Sequence, residues 1–516
     1  MTNISPVRFL ILTFVIGLIA LPLSAQKITN ADLEALSKAK AVSSLNGELR
    51  DFLSIPNNAL IDEHVRNNLN YLTKAFKKRG FTTTELPTIS RTALLAEKKV
   101  EGAENTVLFY MHFDGQPIDP SKWEQPDAYK PVLKRRKADG IGWEIIDWDL
   151  AEDDFDDEWR IFARSASDDK SPIIMFLQAM DIMAEREQEL NYNVKVILDP
   201  EEEQGSIGLP GAVKTYSQQL SADRMVILDG PVHDSNRPTL VFGTRGIAEI
   251  ELTVYGPRTP QHSGHFGNYA PNPALRLSKL LASMKDDEGR VTITGFYDGI
   301  ELTPAIQAIL KAVPDDQEQI KKRVGIASTD KVGLNYQEAM QFPSLNIRGL
   351  QSGWVGDEAR TIVPDKAVAT MDIRLVPESD GARLVALVKR HIKDAGYYII
   401  EKREPTEEER LAHGKIIRFD HDAGAMWKAF YTPVISSTGL WLYETLSKAH
   451  NSEVARIRLA GGSVPIAFFV QELKIPAVLV PLVNPDNGQH SPNENLRLGH
   501  YRNGIKSVLA ILNSDF

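Results

Sequence analysis

Three glutamates, Glu201, Glu202 and Glu203, stand side by side in LDPEEEQGSIGL, directly after the apolar run VKVIL. Neighbouring carboxylates repel one another and resist leaving water, so packing does not account for them. A solvated acidic loop is one reading and a bound cation is the other. Four further stretches carry residues of matching chemistry. In MHFDG, His112 and Asp114 lie two apart just beyond an apolar run, and in extended backbone their side chains face the same way. RSASDDKSP sets Asp168 and Asp169 ahead of a helix, where simple capping is also open. Asp229 closes MVILD, and His490 sits in NPDNGQHSPNE after the stretch IPAVLVPLV. Singly, each has an ordinary reading, since loop aspartates commonly serve turns.

Jointly they point to one place. His112, Asp168, Glu203, Asp229 and His490 each follow an apolar strand or immediately precede a helix. In an open α/β sheet, ligands bind outside the carboxyl ends of the strands, so these positions converge on one crevice. Two imidazoles and three carboxylates, without sulfur, suit a pair of borderline divalent ions. The chain has no cysteine, which excludes thiolate ligands, thiol nucleophiles and disulfides. Cations opposite the glutamates make their adjacency tolerable.

The elements that must hold these residues alternate between strand and helix. Strands are predicted at 92–99, 105–111, 193–198 and 225–228, with a helix from Pro172 capped by Ser171. This is an α/β pattern. From Gly246 the order becomes β-α-β-β-α-β, with strands at 247–256, 344–349, 367–377 and YYIIEKRE (397–404), helices at 272–284 and 380–396, and a long insert at 287–343. That order matches a ferredoxin-like α+β module. After about residue 430 the α/β character returns, with a helix near 438–450, a strand at 475–483 and a closing helix near 496–512. The expected organisation is an α/β catalytic domain, 26–243 with 431–516, interrupted by an inserted α+β domain, 244–430. The acidic, Trp-containing segment 136–158 reads as a solvated surface excursion without the ligand alternation of a calcium loop. His233, His391, His413, His450 and His500 read as surface residues.

A chain of 516 residues is long for one domain. Its formal charge of −10, with no basic stripe, excludes nucleic acid and anionic membrane surfaces as expected partners. The first residues, MTNISPVRFLILTFVIGLIALPLSAQ, place Arg8 before an apolar run from Phe9 to Leu23, closed by Ser24-Ala25. A membrane span needs ~20 apolar residues, and this run is shorter and broken by Pro22. It reads as a signal peptide (1–25) cleaved after Ala25, giving an exported periplasmic or extracellular protein without a stable membrane anchor.

The motifs MHFDGQP, RSASDDKS, EEEQGSIGL, MVILDG, GTRG, QHSGHFG, RTIVPDKAVATMDIRLVP, GGSVP and GQHSPNE occur in this order. In them the sequence resembles the dinuclear zinc peptidases and deacylases that include carnosine and other dipeptidases, glutamate carboxypeptidase, aminoacylase and acetylornithine deacetylase, with the dipeptidase branch nearest. The resemblance implies a zinc-exopeptidase-like α/β fold with an inserted lid and dimerisation domain, and two Zn²⁺ per chain, with Mn²⁺ or Co²⁺ as alternatives. It implies that Asp168 bridges the ions, that His112 and Asp229 hold one, and that Glu203 and His490 hold the other. Asp114 would accept the free ring N–H of His112, fixing its orientation. Glu202 would be the general base, and the Asp168–Asp169 peptide would be cis. His262 would reach a neighbouring subunit's site in a homodimer and stabilise the oxyanion. Arg374 and Thr361 would hold the substrate's terminal carboxylate, with Ser463 and His421 adding contacts.

Three departures from the family pattern stand out. Met111 replaces a glycine and is expected to crowd the pocket, Ser171 replaces a glycine after DDK, and an insertion separates the first two motifs. The resemblance implies a metal-dependent exopeptidase, foremost a dipeptidase acting on short peptides, and the N-terminal segment adds the expectation that it is exported. An N-acyl amino acid deacylase or a carboxypeptidase on the same scaffold is the alternative. A catalytically silent binding protein is a third reading, against which the presence of Glu202 beside every ligand argues.

Overall fold

The computed structural model of the protein describes residues 28–462 and 466–516. The expected signal peptide and Ser463 lie outside the described residues.

The strand Thr106–His112 shows how the chain builds its centre. Val107, Phe109 and Met111 enter the core on one face, and Leu108 and Tyr110 enter a second core on the other. A strand covered on both faces reads as a continuous apolar run, as this one does. It lies inside an eight-stranded sheet ordered Thr82–Pro87, Thr92–Lys98, Asn193–Asp199, Thr106–His112, Arg224–Ile227, Ala477–Leu479, Thr239–Val241 and Ala455–Ile457. The four strands from Asn193–Asp199 to Ala477–Leu479 run parallel, so their carboxyl ends open on one side. Helix Lys170–Glu185, buried over nearly its whole length, packs with Leu498–Leu512 on one face of this sheet. Leu209–Thr215 and Ala467–Leu473 pack together on the other.

The second unit has its own core and its own sheet, ordered Ser344–Gln351, Lys366–Leu375, Gly246–Tyr255, Ile416–Asp420 and Tyr398–Ile400. Every strand of it lies between residues 246 and 420, whereas the larger sheet takes strands from before and after. Helices Pro273–Ala282 and Gly381–Asp394, each started by a side-chain cap from Asn272 or Asp380, pack on its strands. The predicted last strand, YYIIEKRE, is corrected here. Only Tyr398–Ile400 is strand, and it forms an edge parallel to Ile416–Asp420, which occupies the position beside Gly246–Tyr255. Burial explains the choice: Ile416, Ile417 and Phe419 are buried, whereas of the edge strand only Ile400 is.

Two further expectations change. Helix Lys170–Glu185 starts at Asp169 as its N-cap, and Ser171 sits buried in the first turn. The Ser171 hydroxyl donates back to the Ala166 carbonyl, so it is committed to the preceding loop. The segment 136–158 is more than a solvated excursion. Val132–Arg136 and Trp143–Ile146 pair as a hairpin in a four-stranded sheet that continues through Arg160–Phe162 to Asn495–Arg497. The Arg136 guanidinium lies 4.0 Å from the centre of the Trp143 ring, which gives that tryptophan a place. Among the described residues, no helix is long and apolar enough to cross a membrane.

Candidate metal centre and active site

Beyond the carboxyl ends of the parallel strands, seven side chains from five separate stretches meet. His112, the last residue of its strand, places Nε2 2.9 Å from Asp168 Oδ1 and Nδ1 3.3 Å from Asp114 Oδ1. His490 Nε2 lies 3.0 Å from Asp168 Oδ2 and 3.0 Å from Glu203 Oε2. Potential ligand atoms of His112, Asp168 and Asp229 all lie within 4.8 Å of one another, as do those of Asp168, Glu203 and His490. Asp168 belongs to both groups. The peptide between Asp168 and Asp169 is cis.

The loop that puzzled at the level of sequence divides its three glutamates. Glu201 is buried and structural: its carboxylate accepts from the Gly208 N–H at 2.7 Å and from the Ser90 hydroxyl. Glu203 joins the second ligand group and also accepts from Gln116 Nε2 at 2.7 Å. Glu202 stands between them, close enough to Asp229, Asp168 and Glu203 to feel all three charges. Asp114 fixes this loop as well as His112, accepting the N–H groups of Glu202 at 3.0 Å and Glu203 at 3.1 Å. Buried Asp199 supports it from below, accepting from Tyr110 Oη at 2.9 Å and from the Glu201 N–H at 3.0 Å. The loop turns at Gly205, with φ of 85°, where a Cβ would stand 2.8 Å from the Trp427 ring.

The cluster crowds carboxylates out of reach of water, and their proton affinities respond. Burial, reinforced by the Asp168 and Glu203 carboxylates, pushes Asp229 up to about 6. Burial and the same crowd of acids push Glu202 well above the carboxylate range. Hydrogen bonds to Asp168 and Glu203 raise His490 to about 10. Left to itself, the cluster holds protons to relieve its negative charge. Two imidazole nitrogens and three carboxylates, gathered as two groups of three with one shared member, fit a pair of divalent cations that would relieve it instead.

The residues assigned to substrate lie on the inserted unit. His262 pairs with Ile362 across a short two-stranded ladder, and the Ser263 N–H donates to the Thr361 carbonyl at 3.0 Å, so His262 and Thr361 share one exposed patch. The His262 ring accepts from the Gly264 N–H and lies beside His265. Arg374 lies one residue before the end of the strand Lys366–Leu375, with Nε 3.2 Å from Asp372 Oδ2. His421 follows Ile416–Asp420, and its Nδ1 lies 2.8 Å from the Glu249 carbonyl. Among the described residues, neither His262 nor His421 makes a hydrogen bond or ion pair to the carboxylate cluster of its own chain.

Met111 does not crowd the pocket. It alternates with His112 along the strand and is fully buried in the core on the opposite face. His500 is likewise not a surface residue: it is buried, and burial holds its ring down at about 3. Gln116, Asp199 and Glu494 support the cluster without having been singled out from sequence. Gln116 and Glu494 stand inside motifs already quoted, MHFDGQP and GQHSPNE, and Asp199 begins the DPEEE that follows VKVIL.

Two carboxylate–imidazole groups beyond the carboxyl ends of the central parallel strands, with a further glutamate beside them, have the make-up of a metal-dependent hydrolase. Comparison with known proteins gives the family. The model of peptidase family M20/M25/M40 matches residues 108–514, and the chain belongs to that family as a metallopeptidase, a hydrolase of peptide bonds. It is 28% identical over 414 residues to the Cys-Gly metallodipeptidase dug1 of Schizosaccharomyces pombe, covering 78% of each chain. It is 27% identical over 428 residues to the human Beta-Ala-His dipeptidase, covering 81% of this chain and 76% of that one. Among solved structures, the M20 family metallo-carboxypeptidase Sso-CP2 from Sulfolobus solfataricus superposes with a TM-score of 0.72 at 28% identity, covering 91% of this chain and 98% of that one.

Proposed function

We propose that the protein is an exported dipeptidase that holds two zinc ions and hydrolyses short peptides with a free C-terminus. The observation that carries this reading is the pair of ligand groups sharing Asp168, with Glu202 beside both. His112 and Asp229 would hold one ion and Glu203 and His490 the other, with Asp168 available to both. When bound, two such cations supply Lewis-acid polarisation of the scissile carbonyl and make water acidic enough to attack at neutral pH. Asp114 keeps the His112 ring turned so that Nε2 faces the centre. Glu202, not a member of either ligand group, accepts the proton of the attacking water and returns it to the leaving amine. Its raised affinity for protons, which burial and neighbouring acids cause, falls once cations neutralise those acids, bringing it toward the range a base needs.

Arg374, with Thr361, Ser463 and His421, reads the terminal carboxylate of the substrate, for which a guanidinium offers two parallel hydrogen bonds. His262, exposed on the inserted unit and out of contact with the cluster of its own chain, serves the partner's site in a homodimer and stabilises the oxyanion. Residues 1–25 direct export and are removed. The dipeptidase names of two relatives support dipeptide substrates. The likeness to a metallo-carboxypeptidase favours a second reading in which longer peptides are trimmed at the C-terminus.

Zinc-loaded enzyme incubated with a panel of dipeptides, longer peptides and N-acetyl amino acids, with products read by mass spectrometry, separates these readings. Cleavage confined to dipeptides is expected. Release of C-terminal residues from longer peptides establishes the carboxypeptidase, and hydrolysis of N-acetyl amino acids alone establishes a deacylase. Intact mass of the secreted chain is expected to begin at Gln26, and a full-length cytosolic product contradicts export.

A further inference from the structure

Glu494 follows His490 by four residues and has no exposed surface. All four of its carboxylate contacts go to the stretch that ends in Asp168. Oε1 accepts the backbone N–H groups of Ser167 at 2.9 Å and Asp168 at 3.0 Å. Oε2 accepts the Ser165 N–H at 2.9 Å and Arg164 Nη1 at 2.8 Å. The connection continues in the backbone: the Glu494 carbonyl accepts the Ala163 N–H at 3.2 Å, and the Asn495 carbonyl accepts the Ser167 hydroxyl at 2.7 Å. Ser165 has φ of 58°, a left-handed turn that aims neighbouring N–H groups at one point, as in an anion-holding nest. Here the anion is the Glu494 side chain: burial, with the Asp168 charge, pushes it up to about 7, but all four contacts are N–H donors that only the ionised carboxylate can satisfy together.

Consider what this joins. Asp168 is common to both ligand groups, and His490 belongs to one of them. They come from stretches more than three hundred residues apart in sequence. One buried carboxylate, four residues from the histidine, takes hold of the peptide N–H of the aspartate itself. Hydrogen bonds to a charged acceptor are short and strong, and those to a guanidinium add direction. We propose that Glu494 is a positioning residue of the metal centre, setting the distance between Asp168 and His490 so that both reach the same ion. It touches neither the cations nor the substrate. This inference rests on the reading of Asp168 and His490 as metal ligands.

The test compares wild type with Glu494→Gln and Glu494→Asp. Glutamine keeps the shape but turns an NH₂ group toward N–H donors, so one half of the clamp is lost. Aspartate keeps the charge and draws it back by one methylene. Zinc affinity of the folded proteins is measured by competition with a chromophoric chelator, and Co²⁺ spectra report the ligand geometry. Thermal unfolding of the metal-free proteins is followed alongside. Disturbing the groups that orient ligands typically weakens metal binding by about 10- to 100-fold, and that loss is expected for Glu494→Gln, with a smaller one for Glu494→Asp and altered cobalt bands in both. A residue that merely packs the loop would lower the unfolding temperature while leaving zinc affinity and the cobalt spectrum of the folded protein unchanged, and that result overturns the proposal. Should Glu494→Gln fail to fold, Glu494→Asp decides on the same readout. Wild type that takes up no pair of ions defeats the underlying assignment. Wild type with two ions and unaltered variants defeats this inference alone.

Discussion

Asp168 presents one carboxylate oxygen to each histidine, Oδ1 at 2.9 Å from His112 Nε2 and Oδ2 at 3.0 Å from His490 Nε2. The strand end that carries His112 and the loop that carries His490 are thereby tied through a single side chain. Asp229 and Glu203 complete the two groups of three that meet at this carboxylate, each able to hold a metal ion.

Glu202→Ala is expected to keep both ions and lose turnover by roughly 10²–10⁴-fold, the contribution typical of an acid–base group. Metal content and kcat measured on the same preparation check this. Loss of zinc from Glu202→Ala, together with full zinc in Glu203→Ala, shows that the two neighbours have each other's roles.

Arg374→Ala is expected to lower kcat/KM by about 10- to 100-fold for peptides with a free C-terminus, the worth of hydrogen bonds to a charged group. C-terminally amidated analogues, poor substrates from the outset, are expected to change little. Equal losses on both would assign Arg374 a structural task, through its contact with Asp372.

His262 is tested by mixing. Glu202→Ala and His262→Ala homodimers are each expected to be nearly inactive. Random subunit exchange makes about half of the dimers mixed, each with one complete site if His262 acts on the partner, so activity recovers to roughly a quarter of wild type. No recovery after exchange verified by mass spectrometry means that His262 serves its own chain or none.

Metal loading is expected to release protons, and the sign follows from the metal-free cluster. His490 stays protonated up to about 10 and His112 well above its usual value, the latter because Asp114 and Asp168 outweigh the opposing effect of burial. Each must give up that proton to become a ligand, and Glu202 loses its own as cations offset the neighbouring acids, so at pH 7 protons leave as the ions bind, and affinity falls as pH falls. Below about 6, protonation of Asp229 steepens the loss. Calorimetry in buffers of different ionisation enthalpy counts the protons. Uptake that is independent of buffer and pH contradicts these environments.

That His112, Asp168, Glu203, Asp229 and His490 converge was legible in the sequence, because each lies beyond a strand or just before a helix, and the parallel strands open their carboxyl ends on one crevice whatever the distance in sequence. Three strands of the inserted sheet, Gly246–Tyr255, Ser344–Gln351 and Lys366–Leu375, were legible because their strand-forming runs are long and regular, whereas Ile416–Asp420 was not read as a strand. What escaped depended on partners that only folding supplies. YYIIEKRE has good strand residues, yet Ile416–Asp420 buries more and takes the inner position. Ser171 has the type of a helix cap, but its hydroxyl is taken by the Ala166 carbonyl. Met111 was read by its neighbour's chemistry instead of by strand alternation, which turns it away from the cleft. Glu494 looked like one more loop acid, and only contact with residues 164–168 reveals its task.

The shared position of Asp168 is the centre of the account, and native mass spectrometry of metal-free protein titrated with zinc tests it most directly. Wild type is expected to take up two ions per chain, His490→Ala to keep one, and Asp168→Ala to hold neither at concentrations that saturate wild type. An Asp168→Ala chain that still fills with two ions, or a wild-type chain that stops at one, contradicts it.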